Sequence, residues 1–193
     1  MLRELLAAAA ILLTFVMYRP YIRSIRAGRT KPHAFSWIIW TLIASVVFLA
    51  QLADGGGVGA WPIGASGLLT AFVAILAYRN RTDTSRTRAD WLFFSVSLAA
   101  LPCWLLTSDP LTAVVLLTGI ELAGFGPTFR FAFGHPQEEH VGFYSLGALR
   151  STLAVAALEH YSLTTVLFPA AKVLASVTLV ALITYRRTQP HPA

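Results

Sequence analysis

Three ionisable residues, Glu121, Arg150 and Lys172, lie within long runs of apolar residues. An ionised side chain inside a bilayer costs about 2.5–3.5 kcal/mol on insertion scales, so such residues pair with one another and mark functional sites. At 1.5 Å per helical residue, each lies roughly 14–16 Å from one end of its run, near the middle of a membrane. We therefore predict one mutually compensating cluster that faces an interior cavity. The alternative is a structural ion pair, with Arg150 extending its charged end toward water.

These charges suit two kinds of chemistry. Lys172 and Arg150 would attract an anionic or zwitterionic solute, while Glu121 would balance their charge or carry a coupling proton. Alternatively, Lys172 would form a protonated Schiff base with retinal, and Glu121 would be its counterion. The segment 167–173 resembles the lysine-bearing last helix of microbial rhodopsins, although Phe168 stands where that helix has an aspartate.

The composition indicates that most of the surface faces lipid. Of the 193 residues, 56% are hydrophobic and 12% are charged, where a soluble domain has about 25% charged residues. The mean hydropathy is +0.64. Although the net charge is +6, a chain this apolar is a poor candidate for binding nucleic acid, and the expected partners are the bilayer and a small-molecule solute. The sequence leaves the oligomeric state open, including a homo-oligomer.

The apolar runs are long enough to cross a bilayer, which takes about 20 residues of helix. Helices are the predicted state because an open strand would leave backbone groups unpaired in lipid. The sequence therefore predicts an all-α integral membrane protein with seven transmembrane helices, at roughly 2–20, 35–53, 60–78, 90–107, 110–131, 142–159 and 162–184.

The basic residues orient these helices. Most of the 15 Lys and Arg residues follow the first, third, fifth and seventh runs: Arg19, Arg23, Arg26, Arg29, Lys31, Arg79, Arg81, Arg86, Arg88, Arg130, Arg186 and Arg187. On the opposite side of the predicted membrane there is only Arg3, at the start of the first run. Because basic loops stay in the cytoplasm, we predict a multi-pass protein of the cell (inner) membrane, with the N-terminus outside and the C-terminus in the cytoplasm.

The chain also matches itself at an offset of 107 residues. Pro20 falls on Pro127, Pro62 on Pro169, and the pair 78–79 on 185–186. The run at 90–107 has no counterpart, so two three-helix units of the same orientation are separated by one helix. The sequence thus predicts a 3+1+3 parallel repeat, with a first unit over 1–79, a linker loop and inversion helix over 80–107, and a second unit over 108–193.

The segments around the first prolines resemble the signature of the PQ-loop superfamily, which includes the SWEET (MtN3) transporters. The first copy runs through 18–37 and has a proline, a basic loop with a glycine, and then Ser36 and Trp37; the second, at 126–130, is more worn. Tyr21 and Thr128 stand where the signature has glutamine. The resemblance implies a small-solute transporter that works by alternating access.

In that family the helix prolines act as hinges, a role that the resemblance implies for Pro20, Pro127, Pro62 and Pro169. An alternative for Pro62 and Pro169 is that they begin their helices, where proline is well tolerated. A receptor or scaffold on the same fold is a further hypothesis. We do not expect an enzyme, because no Ser-His, Cys-His or paired-carboxylate arrangement lies at membrane depth. We also expect no metal site, because no metal-ligand spacing surrounds the histidines.

Overall fold

The computed structural model describes residues 1–30, 32–80, 88–137 and 139–189, and within these ranges it describes the backbone but not the side chains of residues 89, 90 and 127. Lys31, Arg81 and Arg86, which contribute to the predicted orientation, lie outside the described residues. Every regular element in the described ranges is helical, so the prediction of an all-helical chain is confirmed.

The described residues form seven α-helices. They are α1 (Leu2–Arg26), α2 (Ala34–Ala53), α3 (Trp61–Arg79), α4 (Arg88–Thr107), α5 (Pro110–Gly134), α6 (Val141–Ala156) and α7 (Leu163–Thr188), with a 3₁₀ turn over Gly57–Ala60 leading into α3. Among the described residues, five helices are long enough and apolar enough to cross a membrane: α1, α2, α3 together with its 3₁₀ turn, α5 and α7. The apolar part of α4, Trp91–Thr107, is shorter, and α6 has 16 residues including Arg150.

Four helix ends differ from the predicted ones by three residues or more. Helices α5 and α7 continue to Gly134 and Thr188 rather than to 131 and 184. Helix α1 continues through Pro20 to Arg26, because an interior proline removes one backbone bond without ending the helix. Helix α6 ends at Ala156 rather than 159, since the chain after it turns and the Glu159 N–H donates to the Gly56 carbonyl at 3.2 Å.

The helices pack as two groups of three, which we name the first helix group (α1–α3) and the second helix group (α5–α7). Helix α3 contacts both α1 and α2, and α7 contacts both α5 and α6. The groups meet where α1 packs on α6 and α2 packs on α5, while α4 packs on α2 and α5. The largest apolar core lies at this junction, around Ile43, Val47, Leu117 and Phe168. Helix association in lipid depends on such close packing, because lipid tails are as apolar as the side chains.

Candidate functional site

Glu121 and Lys172 contact each other directly. The Lys172 Nζ of α7 donates to the Glu121 Oε1 of α5 in an ion pair. The side chain of Lys172 is 26% exposed and that of Glu121 is 12% exposed. Lys172 Nζ also lies 5.6 Å from the centroid of the Phe168 ring, within the range of a cation–π contact. The ammonium is therefore held by a carboxylate and an aromatic face inside the second helix group.

Arg150 has different partners from those that the predicted cluster requires. Its Nη1 donates to the Ser66 Oγ at 2.9 Å and to the Pro62 carbonyl at 3.3 Å, both on α3. The residue is 8% exposed, so its charge does not extend into solvent. The structure thus divides the hydrogen bonds of the three charges, with Glu121 on Lys172 and Arg150 on the first helix group, while Glu121 remains within electrostatic range of Arg150. Arg150 bridges the two groups.

A small cavity brings Arg150 and Lys172 together again. It measures about 10 Å³, which is room for about one water molecule. The cavity lies between the helix groups, and its polar lining comes from α2, α6 and α7: Gln51, Arg150, Ser151 and Lys172. Pro169 and Phe168 line it as well, whereas Glu121 is not among its lining residues. Two cationic residues and two neutral polar ones therefore surround a space between the two groups.

Gln51 links this cavity to a break in the hydrogen bonding of α7. Pro169 lies inside α7, where its missing N–H leaves the carbonyl four residues earlier without its helical donor. That carbonyl belongs to Thr165, and the Gln51 Nε2 of α2 donates to it at 2.7 Å. A side chain of the first helix group thus supplies the bond that Pro169 cannot make.

The other prolines have different positions. Pro62 lies in the first turn of α3, directly after the 3₁₀ turn in which the Trp61 N–H donates to the Val58 carbonyl. This position matches the alternative that Pro62 begins its helix. Pro20 lies inside α1, and Pro127 lies within the range of α5, with its side chain outside the described residues.

A network of polar contacts, which we name the clasp, joins loop 54–58 to loop 159–162. The Ser162 Oγ donates to the Asp54 carboxylate, and the His160 Nδ1 lies 2.9 Å from the Asp54 carbonyl oxygen. The Val58 N–H donates to the Glu159 Oε1 at 3.1 Å. The clasp therefore closes one end of the junction between the helix groups, three residues beyond Gln51 along the chain.

Two glycines permit the close approach within this region. Gly57 has a φ of +58°, and a Cβ added there would lie 2.1 Å from the carboxyl carbon of Glu159. A Cβ on Gly59 would lie 2.5 Å from the backbone nitrogen of Leu158. A side chain at Gly59 would therefore push against the backbone of Ala157 and Leu158, whereas one at Gly57 would displace the Glu159 carboxylate.

Sequence reasoning missed Gln51, Ser66, Ser151 and the clasp residues. Gln51 directly follows the apolar stretch 46–50. An amide side chain at the end of such a stretch was the one sequence signal of a polar contact inside the membrane. Serine gives no such signal, because a hydroxyl in a helix often bonds to its own backbone, as Ser45 does with the Thr41 carbonyl at 2.8 Å. The clasp depends on loops that are far apart in the sequence.

Comparison with protein-family models, with curated proteins and with solved structures finds no match to this chain. The functional conclusion therefore depends on the geometry of the site and on the internal organisation of the chain.

Proposed function

We propose that this protein is a small-solute transporter of the PQ-loop and SWEET kind, which works by alternating access and takes an anionic or zwitterionic solute. All seven helices cross the membrane in this proposal, with the N-terminus outside and the C-terminus in the cytoplasm. The solute binds between the two helix groups, near Arg150 and Lys172. The observation that carries the proposal is the cavity between the groups, which both cations line.

The helix boundaries support a parallel repeat as the basis of this transporter. Adding 107 to the bounds of α1 gives 109–133, and α5 covers 110–134. The same shift places the start of α2 at 141, where α6 begins. The 3₁₀ turn and α3 together shift to 164–186, within α7 (163–188). The helix boundaries therefore agree with the 107-residue sequence match for the pair α1 and α5 and for the pair α3 and α7.

The contacts between the helix groups support the same symmetry. A two-fold relation that exchanges α1 with α5 and α2 with α6 must turn the α1–α6 contact into the α5–α2 contact, and both are present. It must also turn α3–α6 into α7–α2, and both of these occur. Two similar groups that meet in this way can rock against each other around a central site.

In this mechanism, the structure represents the state in which the clasp end is closed. Opening it separates loop 54–58 from loop 159–162 and enlarges the cavity, which in the closed state has room for about one water. Pro169 lets α7 bend beside the cavity. The carboxylate of an entering solute competes with Glu121 for Lys172, which makes Glu121 the candidate carrier of a coupling proton.

The test is uptake of labelled carboxylates, amino acids and sugars by proteoliposomes. We expect saturable uptake of an anionic or zwitterionic solute, and a loss of at least about tenfold in Lys172→Gln. Arg3→Gln, which removes an exposed cation near the start of α1, is the matched control and should retain uptake. A proton gradient should stimulate the wild type but not Glu121→Gln. Uptake of neutral sugars alone, or full activity of Lys172→Gln, would contradict the proposal.

The contact of Lys172 with Glu121 also favours the second candidate, a retinal protein with a Lys172 Schiff base and a Glu121 counterion. Against it, a retinal polyene needs a lasting cavity far larger than the described one of about 10 Å³ that Lys172 lines, whereas a small solute needs space only when the clasp end opens. Adding all-trans-retinal to the purified protein separates the two candidates: a visible absorption band that Lys172→Ala abolishes would favour the retinal protein over the transporter.

A further inference from the structure

Two buried polar atoms beside the cavity have no hydrogen-bond partner among the described residues: the Gln51 Oε1 and the Ser151 Oγ. Gln51 is 2% exposed and Ser151 is 1% exposed, and both residues line the cavity. A buried polar group without a partner is costly, so each such group needs an explanation. Here they lie together, in a site that has independent reasons to bind a ligand.

The Thr165 carbonyl fixes the orientation of the Gln51 amide. Only the amide nitrogen can donate to that carbonyl, and the two atoms lie 2.7 Å apart. The nitrogen keeps one further N–H hydrogen, but the atom without any partner is the oxygen, which accepts hydrogen bonds and cannot donate them. Ser151 adds a hydroxyl, which can donate or accept. A ligand group that satisfies both residues must carry an O–H or N–H hydrogen.

The charges around the cavity decide between these donors. The ammonium of Lys172 is neutralised by Glu121, whereas Arg150 bonds to two uncharged oxygens, those of Ser66 and Pro62. The lining therefore keeps an excess positive charge, which attracts a carboxylate and repels an ammonium group. A neutral hydroxyl is the donor that such a site accepts most readily. It is also about the size of the one water molecule for which the cavity has room.

We propose that Gln51 and Ser151 form a hydroxyl-binding subsite, and that the solute is a small hydroxy carboxylate. Its hydroxyl donates to Gln51 Oε1 and bonds to Ser151 Oγ, while its carboxylate lies against Arg150 and Lys172. This inference rests on the proposed transport function. It also gives Gln51 two tasks, since the amide that binds the hydroxyl also holds the Thr165 carbonyl beside Pro169 and so couples the solute to the bend in α7.

The test is calorimetric binding of three matched carboxylates to the full-length protein in lipid nanodiscs. Lactate, alanine and propionate differ only in carrying a hydroxyl, an ammonium or a hydrogen at the second carbon. We expect lactate to bind about tenfold more tightly than propionate, the equivalent of one net hydrogen bond, and more tightly than alanine. Ser151→Ala should reduce the lactate preference about threefold, and Gln51→Leu should remove it.

Ser97→Ala is the matched control, because the Ser97 hydroxyl is also buried without a described partner but does not line the cavity. It should leave the lactate preference unchanged. Ser151→Ala keeps the test decisive should Gln51→Leu fail to fold. Equal binding of lactate and propionate by the wild type would overturn the subsite and leave the transporter standing. Tighter binding of alanine would overturn the choice of a hydroxyl. No binding of any of the three, together with no uptake of any anion or zwitterion, would overturn the subsite and the proposed function together.

Discussion

Pro62 and Pro169 lie 107 residues apart in the third helices of the two helix groups, yet the two helices compensate for the missing N–H in different ways. Before Pro62, the chain forms a 3₁₀ turn, and the Val58 carbonyl receives the Trp61 N–H. Before Pro169, the helix stays α-helical, and the Thr165 carbonyl receives the side chain of Gln51 from the other group. The first solution is local, whereas the second makes the hydrogen bonding of α7 around Pro169 depend on the position of α2.

The same contrast holds for the charged residues. At the 107-residue offset, Glu121, Arg150 and Lys172 of the second helix group align with Thr14, Ile43 and Ala65 of the first. Thr14 bonds to the Ala10 carbonyl of its own helix at 2.8 Å, and Ile43 is part of the apolar core. Thr14 and Ile43 thus need no polar partner on another helix. Glu121, Arg150 and Lys172 have their polar partners on other helices, which is what a binding site requires.

Among substitutions that test the difference between the two helix groups, we expect the replacement of Glu121 to lower the free energy of unfolding most. Glu121→Leu leaves the Lys172 ammonium without its carboxylate, and we expect the free energy of unfolding to fall by about 3 kcal/mol. The equivalent change in the first helix group, Thr14→Val, removes one bond within a helix and should cost less than about 1 kcal/mol. Equilibrium unfolding in bicelles measures both values. The double variant Glu121→Leu/Lys172→Leu should recover much of the loss, and equal costs for the two single variants would contradict the contrast.

The positions of the helices were predictable from the sequence because their signal is local. Runs of apolar residues, Asp109 before Pro110, and prolines at helix starts specify where each helix begins, and the predicted and observed starts agree within about two residues. The ends of α1 and α6 were less predictable. Pro20 does not end its helix, and the end of α6 depends on a contact with loop 54–58.

The candidate site was predictable only in part. A charged residue inside an apolar run is visible in the sequence itself, so Glu121, Arg150 and Lys172 were identified. Of these, Glu121 and Lys172 form an ion pair in the structure. The partner of Arg150 was not predictable, because it depends on how α6 packs against α3, and Ser66 resembles any other serine in an apolar helix. The second role of Gln51 required knowing which carbonyl Pro169 leaves without a donor and which helix lies beside it.

A second, smaller effect tests whether Gln51 compensates for Pro169. Gln51→Leu leaves the Thr165 carbonyl without a donor and should lower the free energy of unfolding by about 2 kcal/mol. In a Pro169→Ala background, the new backbone N–H reaches that carbonyl, so the same change should cost less than about 1 kcal/mol. In a Pro62→Ala background, the cost should remain at about 2 kcal/mol, because that proline frees a different carbonyl. The same cost in all three backgrounds would show that Gln51 acts elsewhere.

The smallest effect that we expect concerns the start of α7. The Ser162 Oγ accepts from the Thr165 N–H and so caps this helix, just as the Asp109 carboxylate accepts from the Leu111 N–H and caps α5. Ser162→Ala and Asp109→Ala should therefore each cost about 1 kcal/mol. Only Ser162 also donates to Asp54 in the clasp.

Hydrogen exchange at the Val58 N–H, which donates to Glu159, separates the two roles of Ser162. Ser162→Ala should accelerate this exchange about fivefold relative to Asp109→Ala, because local opening of the clasp becomes about 1 kcal/mol easier. Equal exchange in both variants would reduce Ser162 to a helix cap. Faster exchange in Ser162→Ala alone would show that the start of α7 and loop 54–58 open as one unit. The alternating access that we propose needs this coupling, because in that mechanism α7 bends beside the solute and must also release the closed end of the bundle.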